Sequence, residues 1–222
     1  MSQAGMRGRG ASRFAAAAGL MLLPASALAQ APALEARVDA ATLDVVQPVL
    51  RQAVVDSLPL DALRAKVFEG VAKGAPPDRI GRVVAELANE FRAVRAGLRT
   101  QMPAMRFADG EVVAATMARR QGVPFEDLAQ VWQARPSGAS LEVPVTVLGE
   151  LVRRGVPIPD AAGVMNHVVR QQIPLDVAIQ IPGRFDGARG AGSPPGQALA
   201  EALRALNIPD PPGRGRGRRP GG

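Results

Sequence analysis

The sequence predicts an all-α fold, and three observations lead to that prediction. Apolar residues recur at the three- and four-residue spacing of an amphipathic helix, most clearly over residues 77–99. No segment shows the sustained apolar–polar alternation that a half-buried strand would require. Several helical segments end in a similar short sequence: a polar or basic residue, often a glycine, then an apolar residue and a proline. We therefore expect short helices that follow one another through tight turns.

Helical spacing extends through most of residues 40–182, which we take as the folded domain. Pro48 interrupts the first segment, so we expect that helix to kink or to start late. The segments with helical spacing are 40–57, 60–73, 77–99, 109–121, 125–134, 145–154, 159–171 and 175–181.

The sequence that separates these segments, which we term a joint, combines the signals for ending one helix and starting the next. Cations in a last turn and acids in a first turn both favour the helix dipole. Glycine suits the left-handed residue that closes a helix, and proline suits the first turn of the next one. The clearest copies read KGAPPDRI from Lys73, QGVPFEDL from Gln121, RGVPIPDA from Arg154 and QQIPLDVA from Gln171, with a fainter one around Pro59.

The spacing of the joint prolines suggests a repeat. Pro157 and Pro174 are 17 residues apart, as are Pro59 and Pro76, and Pro124 precedes Pro157 by 33 residues. Two short helices in such an interval match the length of known helical hairpin repeats. We predict an irregular array of helical hairpins, α-solenoid-like, with a compact helical bundle as the alternative because its helix ends would look the same.

Residues 1–29 have the features of a secretory signal peptide. Arg7, Arg9 and Arg13 precede a short apolar core at residues 14–23, and small residues end at Ala29. We expect cleavage between Ala29 and Gln30, a flexible leader over 30–39, and a periplasmic or secreted protein with no transmembrane segment after cleavage. The apolar core is about half the length that a membrane-spanning helix needs.

Residues 183–222 are rich in glycine, proline and arginine. We expect a linker, a short helix over 197–206 and a disordered basic tail. The formal net charge is +7, of which the first 29 residues supply three and the tail supplies four, so the remainder is neutral. The tail could bind anionic lipid or polysaccharide, or could be arginine-rich by composition alone. The tail arginines are Arg214, Arg216, Arg218 and Arg219.

Little in the sequence indicates catalysis. Cysteine and tyrosine are absent and His167 is the single histidine, so we predict no catalytic residue, cofactor or metal site. Asp109 and Glu111 are too few to form a metal cage. An enzyme of unknown chemistry is kept as a minority alternative.

Trp132, the single tryptophan, has two interpretations. It is either a large core residue or an exposed anchor in an interface. The function that we expect from the whole sequence is a non-enzymatic, exported helical-repeat protein. It would act as a protein- or peptide-binding scaffold of the bacterial envelope, with the tail-mediated envelope association as the alternative. Nucleic acid is not an expected partner.

Overall fold

The structure is a computed structural model that describes residues 37–211, and that range contains helices and no strand. The prediction of an all-α fold is confirmed. The predicted signal peptide and the four tail arginines lie outside the described residues. The helices are α1 (Ala40–Val55), α2 (Leu60–Ala72), α3 (Pro77–Gln101), α4 (Asp109–Arg120), α5 (Phe125–Gln133), α6 (Glu142–Arg153), α7 (Ile158–Arg170), α8 (Leu175–Ala178), α9 (Ile181–Gly190) and α10 (Pro195–Ala205).

Helix α3 is the longest element, and the predicted apolar stripe forms its buried face. Phe91 and Leu98 on that face have no exposed surface. The helix packs against α1, α2, α4 and α5, so it links the elements on either side of it along the chain. The buried apolar stripe of α3 comprises Ile80, Val84, Leu87, Phe91, Val94 and Leu98.

Helix α1 runs without interruption across Pro48, which corrects the expectation of a late start. The helix begins where the Asp39 carboxylate accepts a hydrogen bond from the backbone N–H of Thr42, at 2.9 Å. Pro48 and Asp44 both lie on the exposed side, so water can bond the Asp44 carbonyl that the proline leaves without a donor. Burial of Val46, Leu50 and Ala53 holds the opposite face in place.

The joints close their helices in one shared way. At the end of α4, Gly122 has a φ of +89° and its N–H donates to Arg119, while the N–H of Val123 donates to Ala118 at 3.1 Å. These two bonds define a Schellman motif. The same pair of bonds ends α1, α2, α6, α7, α9 and α10. Two of these joints, at Gly192 and Asn207, are additional to those recognised in the sequence.

The prediction of a linker that begins after residue 182 is wrong for residues 183–190, which are helical. Helix α9 covers Ile181–Gly190, and Phe185 on it is 1 % exposed. Each exposed glycine destabilises a helix by about 1 kcal/mol, so helix propensities alone do not predict α9. Burial of one apolar face outweighs that cost. The predicted helix over 197–206 is present as α10, and the hydrophobic core extends to Ile208 instead of ending near residue 182.

Two hydrophobic cores lie along the chain. The first core combines α1, α2 and most of α3 and contains Phe91; the second runs from the end of α3 to α10 and contains Trp132. Helices α3 and α4 contribute to both, and Phe107 packs against both. The principal contacts of each helix are with helices at most three positions away in the described chain. The solenoid-like arrangement and its bundle alternative both stay predictions.

Candidate functional site

The indole ring of Trp132 lies in the second core and has no exposed surface. Phe107 meets it edge-on, with ring centroids 5.8 Å apart and planes at 74°. The indole Nε1 has no hydrogen-bond partner among residues 37–211. Trp132 is therefore a core residue. It does not fit the interpretation as an interface anchor, because its ring has no exposed area to contact a partner.

His167 is also mostly buried, at 9 % exposure, on helix α7. Its Nε2 atom has no hydrogen-bond partner in the described part of the chain. Within residues 37–211, no group of three or more His, Cys, Asp or Glu residues is arranged to hold a metal ion. His167 thus has the surroundings of a packed helix residue.

Glu111 is the charged residue whose role the sequence did not reveal. It is fully buried at the start of α4, and its two carboxylate oxygens accept hydrogen bonds from the N–H groups of Ala108 and Leu141, each at 3.0 Å. Arg135 forms an ion pair with it at 3.2 Å. The carboxylate therefore joins the loop before α4 to the loop before α6. The one sequence signal was its position three residues after the end of a loop, where a carboxylate can bond back to the backbone.

An open groove lies across α2, α3 and α4, and we name it the α2–α3–α4 groove. It consists of two adjoining depressions of about 320 Å³ and about 430 Å³ that share Lys66, Glu69 and Val83. Apolar side chains line most of its floor, and charged side chains line its rim. The apolar lining includes Ala62, Ala65, Ile80, Val83, Leu87, Phe91, Val113 and Met117, and the charged lining includes Lys66, Glu69, Lys73, Arg79, Glu86, Glu90 and Arg120.

Most charges on the rim of the groove are paired within the protein. Glu69 bonds to Lys66 at 2.8 Å and to Lys73 at 2.5 Å, and these bonds hold the pKa of Glu69 at about 2. Arg120 pairs with Glu90 at 2.7 Å.

Two rim charges stand apart from these pairs. The side chains of Arg79 and Glu86 have no ion-pair or hydrogen-bond partner in the described residues. They are both exposed and both belong to α3.

Met117 adds exposed apolar surface to the α4 side of the groove. Its side chain is 40 % exposed, although it is large and hydrophobic. A methionine is flexible and polarisable, so it can adapt its shape to an occupant. An apolar floor, an adaptable edge and a charged rim form a surface that can bind a partner.

A further depression, of about 470 Å³ and separate from this groove, lies between the loop before α6 and the joint that follows α7. Its lining is uncharged, and Leu175 on one side of it is 43 % exposed. The described helices do not include one with both the length and the apolar character to cross a membrane.

Neither protein-family models, nor curated proteins, nor solved structures gave a match to this chain. The function is therefore inferred from its own residues.

Proposed function

We propose that this chain is a non-enzymatic helical scaffold that binds a protein or peptide partner in the α2–α3–α4 groove. The observation that carries the proposal is the groove itself, with its apolar floor, its charged rim and the exposed Met117. Grooves of this kind between packed helices commonly take an amphipathic helix. Along α3 the groove runs from Arg79 to Phe91, about 18 Å at the rise of an α-helix, which is room for about three turns of a partner.

The place of action that we propose is the bacterial envelope. The support is the pattern of residues 1–29, where a positive region, a short apolar core and small residues at the cleavage position follow in order. In cells that export the protein, we expect the mature form to begin at Gln30, which N-terminal sequencing of the periplasmic fraction would show. Recovery of the protein from the cytoplasm with residues 1–29 still attached would contradict export. It would not bear on the groove proposal.

Site-specific crosslinking tests the binding proposal. A photoreactive amino acid replaces Met117 inside the groove, and in a matched variant it replaces Val55, which is 76 % exposed and outside the groove. After irradiation of cells that produce the exported protein, we expect a discrete crosslinked product from position 117 and none of the same mass from position 55. Equal labelling at both positions, or no product at position 117, would contradict the proposal.

A second candidate function rests on the basic tail. Arg214, Arg216, Arg218 and Arg219 are separated by glycine or adjacent, with no acid among residues 211–222. Such a segment attracts anionic surfaces. We expect the full mature chain to sediment with phosphatidylglycerol vesicles more than with phosphatidylcholine vesicles, and a form ending at residue 211 to lose that difference. Equal sedimentation of both forms would remove this candidate.

A further inference from the structure

We infer that the occupant of the α2–α3–α4 groove is an amphipathic helix that carries one acidic and one basic residue about seven positions apart on one face. The acidic residue would lie against Arg79 and the basic residue against Glu86. This inference rests on the proposed function and specifies the chemistry of the partner.

The two rim charges that lack a partner within residues 37–211 lie on one face of α3. Arg79, Val83 and Glu86 line the groove at the three- and four-residue spacing that puts them on one face of α3. Seven residues of helix span about 10.5 Å along the axis, or two turns. A partner helix that lies along α3 rises by the same amount per residue. The complementary pair on the partner must therefore also be about seven residues apart.

The other charges on the rim are paired within the protein. Glu69 is bonded to two lysines and Glu90 to Arg120, so these groups are already neutralised within the protein. Arg79 and Glu86 have no such partner among residues 37–211. A partner that covers the groove removes water from both, and desolvating a charge without a counter-charge is costly. An occupant with the matching pair offsets this cost, whereas an occupant with like charges adds repulsion.

The two opposite charges disfavour partner helices of uniform charge. A uniformly basic helix would match Glu86 and be repelled by Arg79, and a uniformly acidic helix would have the opposite conflict. Complementary charges at a rim discriminate between partners more than they add affinity. The apolar floor supplies the attraction, and the two charges select which helix is accepted.

Three model peptides test the inference. Each is an alanine–leucine helix of about 18 residues, long enough to populate the helical form, with one leucine stripe and a fluorescein label. They differ at two positions seven residues apart, which carry Asp and Lys, two Asp, or two Lys. We expect the wild-type protein to bind the mixed peptide with the lowest Kd. Each mismatched charge should raise the Kd about threefold, and the preference should disappear at about 1 M salt.

Charge reversal should change the preference in a defined way. Arg79→Glu leaves two acids and should favour the two-lysine peptide, and Glu86→Lys leaves two bases and should favour the two-aspartate peptide. Arg82→Glu on α3 and Asp44→Lys on α1 change exposed residues outside the groove and should keep the wild-type order. An order that is the same in all variants, or no binding of any peptide to the wild-type protein, would overturn the inference.

Blocking the groove distinguishes a failure of this inference from a failure of the proposed function. Ala65 is exposed and lines the groove, so Ala65→Trp should fill it. If the three peptides bind equally and Ala65→Trp abolishes binding, the charge selection is wrong and the scaffold function stands. If Ala65→Trp leaves binding unchanged, the peptides bind elsewhere, and both the inference and the groove proposal fail.

Discussion

Arginine side chains donate hydrogen bonds to backbone carbonyl groups at several of the joints. Arg119 donates to the carbonyl of Val123 at 2.6 Å, and Arg189 donates to that of Ser193 at 2.7 Å. Arg95, which is 9 % exposed, donates in the same way to the carbonyl of Ser57. These carbonyl groups belong to turns in which few backbone donors are available. These three arginines thus have structural partners, whatever the origin of the arginine-rich composition.

At the scale of a single residue, Glu111 should be the most costly carboxylate to remove. Glu111→Ala leaves the N–H groups of Ala108 and Leu141 without their acceptor and removes the partner of Arg135. We expect the free energy of unfolding to fall by about 3 kcal/mol in urea denaturation at neutral pH.

The matched control for this change is Glu126→Ala. Glu126 is exposed in the first turn of α5 and should change the free energy of unfolding by less than about 0.5 kcal/mol. A Glu111→Ala protein as stable as this control would show that the buried contacts contribute nothing.

Individual helices are delimited by their joints, and each joint is a local structure. The Schellman bonds connect residues at most five positions apart, and the proline two residues after the left-handed residue prevents the helix from continuing.

The packing of α5 on α3 depends on a close approach between Phe125 and the backbone of α3. A Cβ atom at Gly97 would lie 2.3 Å from the ring of Phe125, so a larger residue there would force that ring to move.

A joint glycine and a helix-interior glycine should respond oppositely to the same substitution. Gly122→Ala adds a side chain at φ +89°, with open space around it, so its cost is conformational and should be about 1 kcal/mol. Gly163→Ala lies inside α7, also with open space, and should stabilise the protein by about 0.5–1 kcal/mol. Thermal or urea unfolding measures both. Changes of the same sign would contradict the assignment of the joint.

The ion pairs of Glu150 at the end of α6, next to the pair that joins Arg154 to Asp186 of α9, should respond to acid. Hydrogen bonds from Arg153 and Arg154 lower the pKa of Glu150 to about 2 from an ordinary 4.5, and Arg154 also bonds to Asp186 on α9 at 2.9 Å. Because the pKa is lower in the folded state, this stabilisation is complete above the ordinary pKa and is lost as the pH falls toward 2.

We therefore expect Glu150→Gln to be less stable than the wild-type protein at neutral pH and to lose less stability on acidification. Urea denaturation at neutral pH and at successively lower pH would show the two proteins converging. The control is Glu126→Gln, since Glu126 has no ion-pair partner in the described residues. A constant difference between wild type and Glu150→Gln across the range would contradict the linkage.

At the scale of the whole molecule, the two hydrophobic cores share structural elements. Phe91 of α3 belongs to the first core and Leu98 of the same helix to the second, while Phe107 packs on both. A helix cannot easily unfold at one end of its buried stripe while the other end stays packed. The cores should therefore unfold together.

The single tryptophan makes this cooperativity measurable. Trp132 lies wholly in the second core, so its fluorescence reports that core, whereas far-ultraviolet circular dichroism reports all helices. We expect a blue-shifted native emission and urea transitions that coincide for the two signals. Two separated transitions would show that the cores are independent.

Helix ends and fold class are determined by the sequence alone, because dipole charges, closing residues and prolines act within a few positions of one another. The amphipathic stripe of α3 is equally local, since its period appears in the chain itself. These signals predicted most of the joints, the all-α class and the helix that became α10.

The tertiary structure alone decided which residues meet across the chain. It placed Glu111 against Arg135, buried the ring of Trp132, and kept α9 helical despite its glycines. It also brought α2, α3 and α4 together into a groove in which Arg79 and Glu86 have no partner among residues 37–211. Each of these outcomes depends on burial and pairing between distant segments, and the order of residues along one chain carries no direct signal of such contacts.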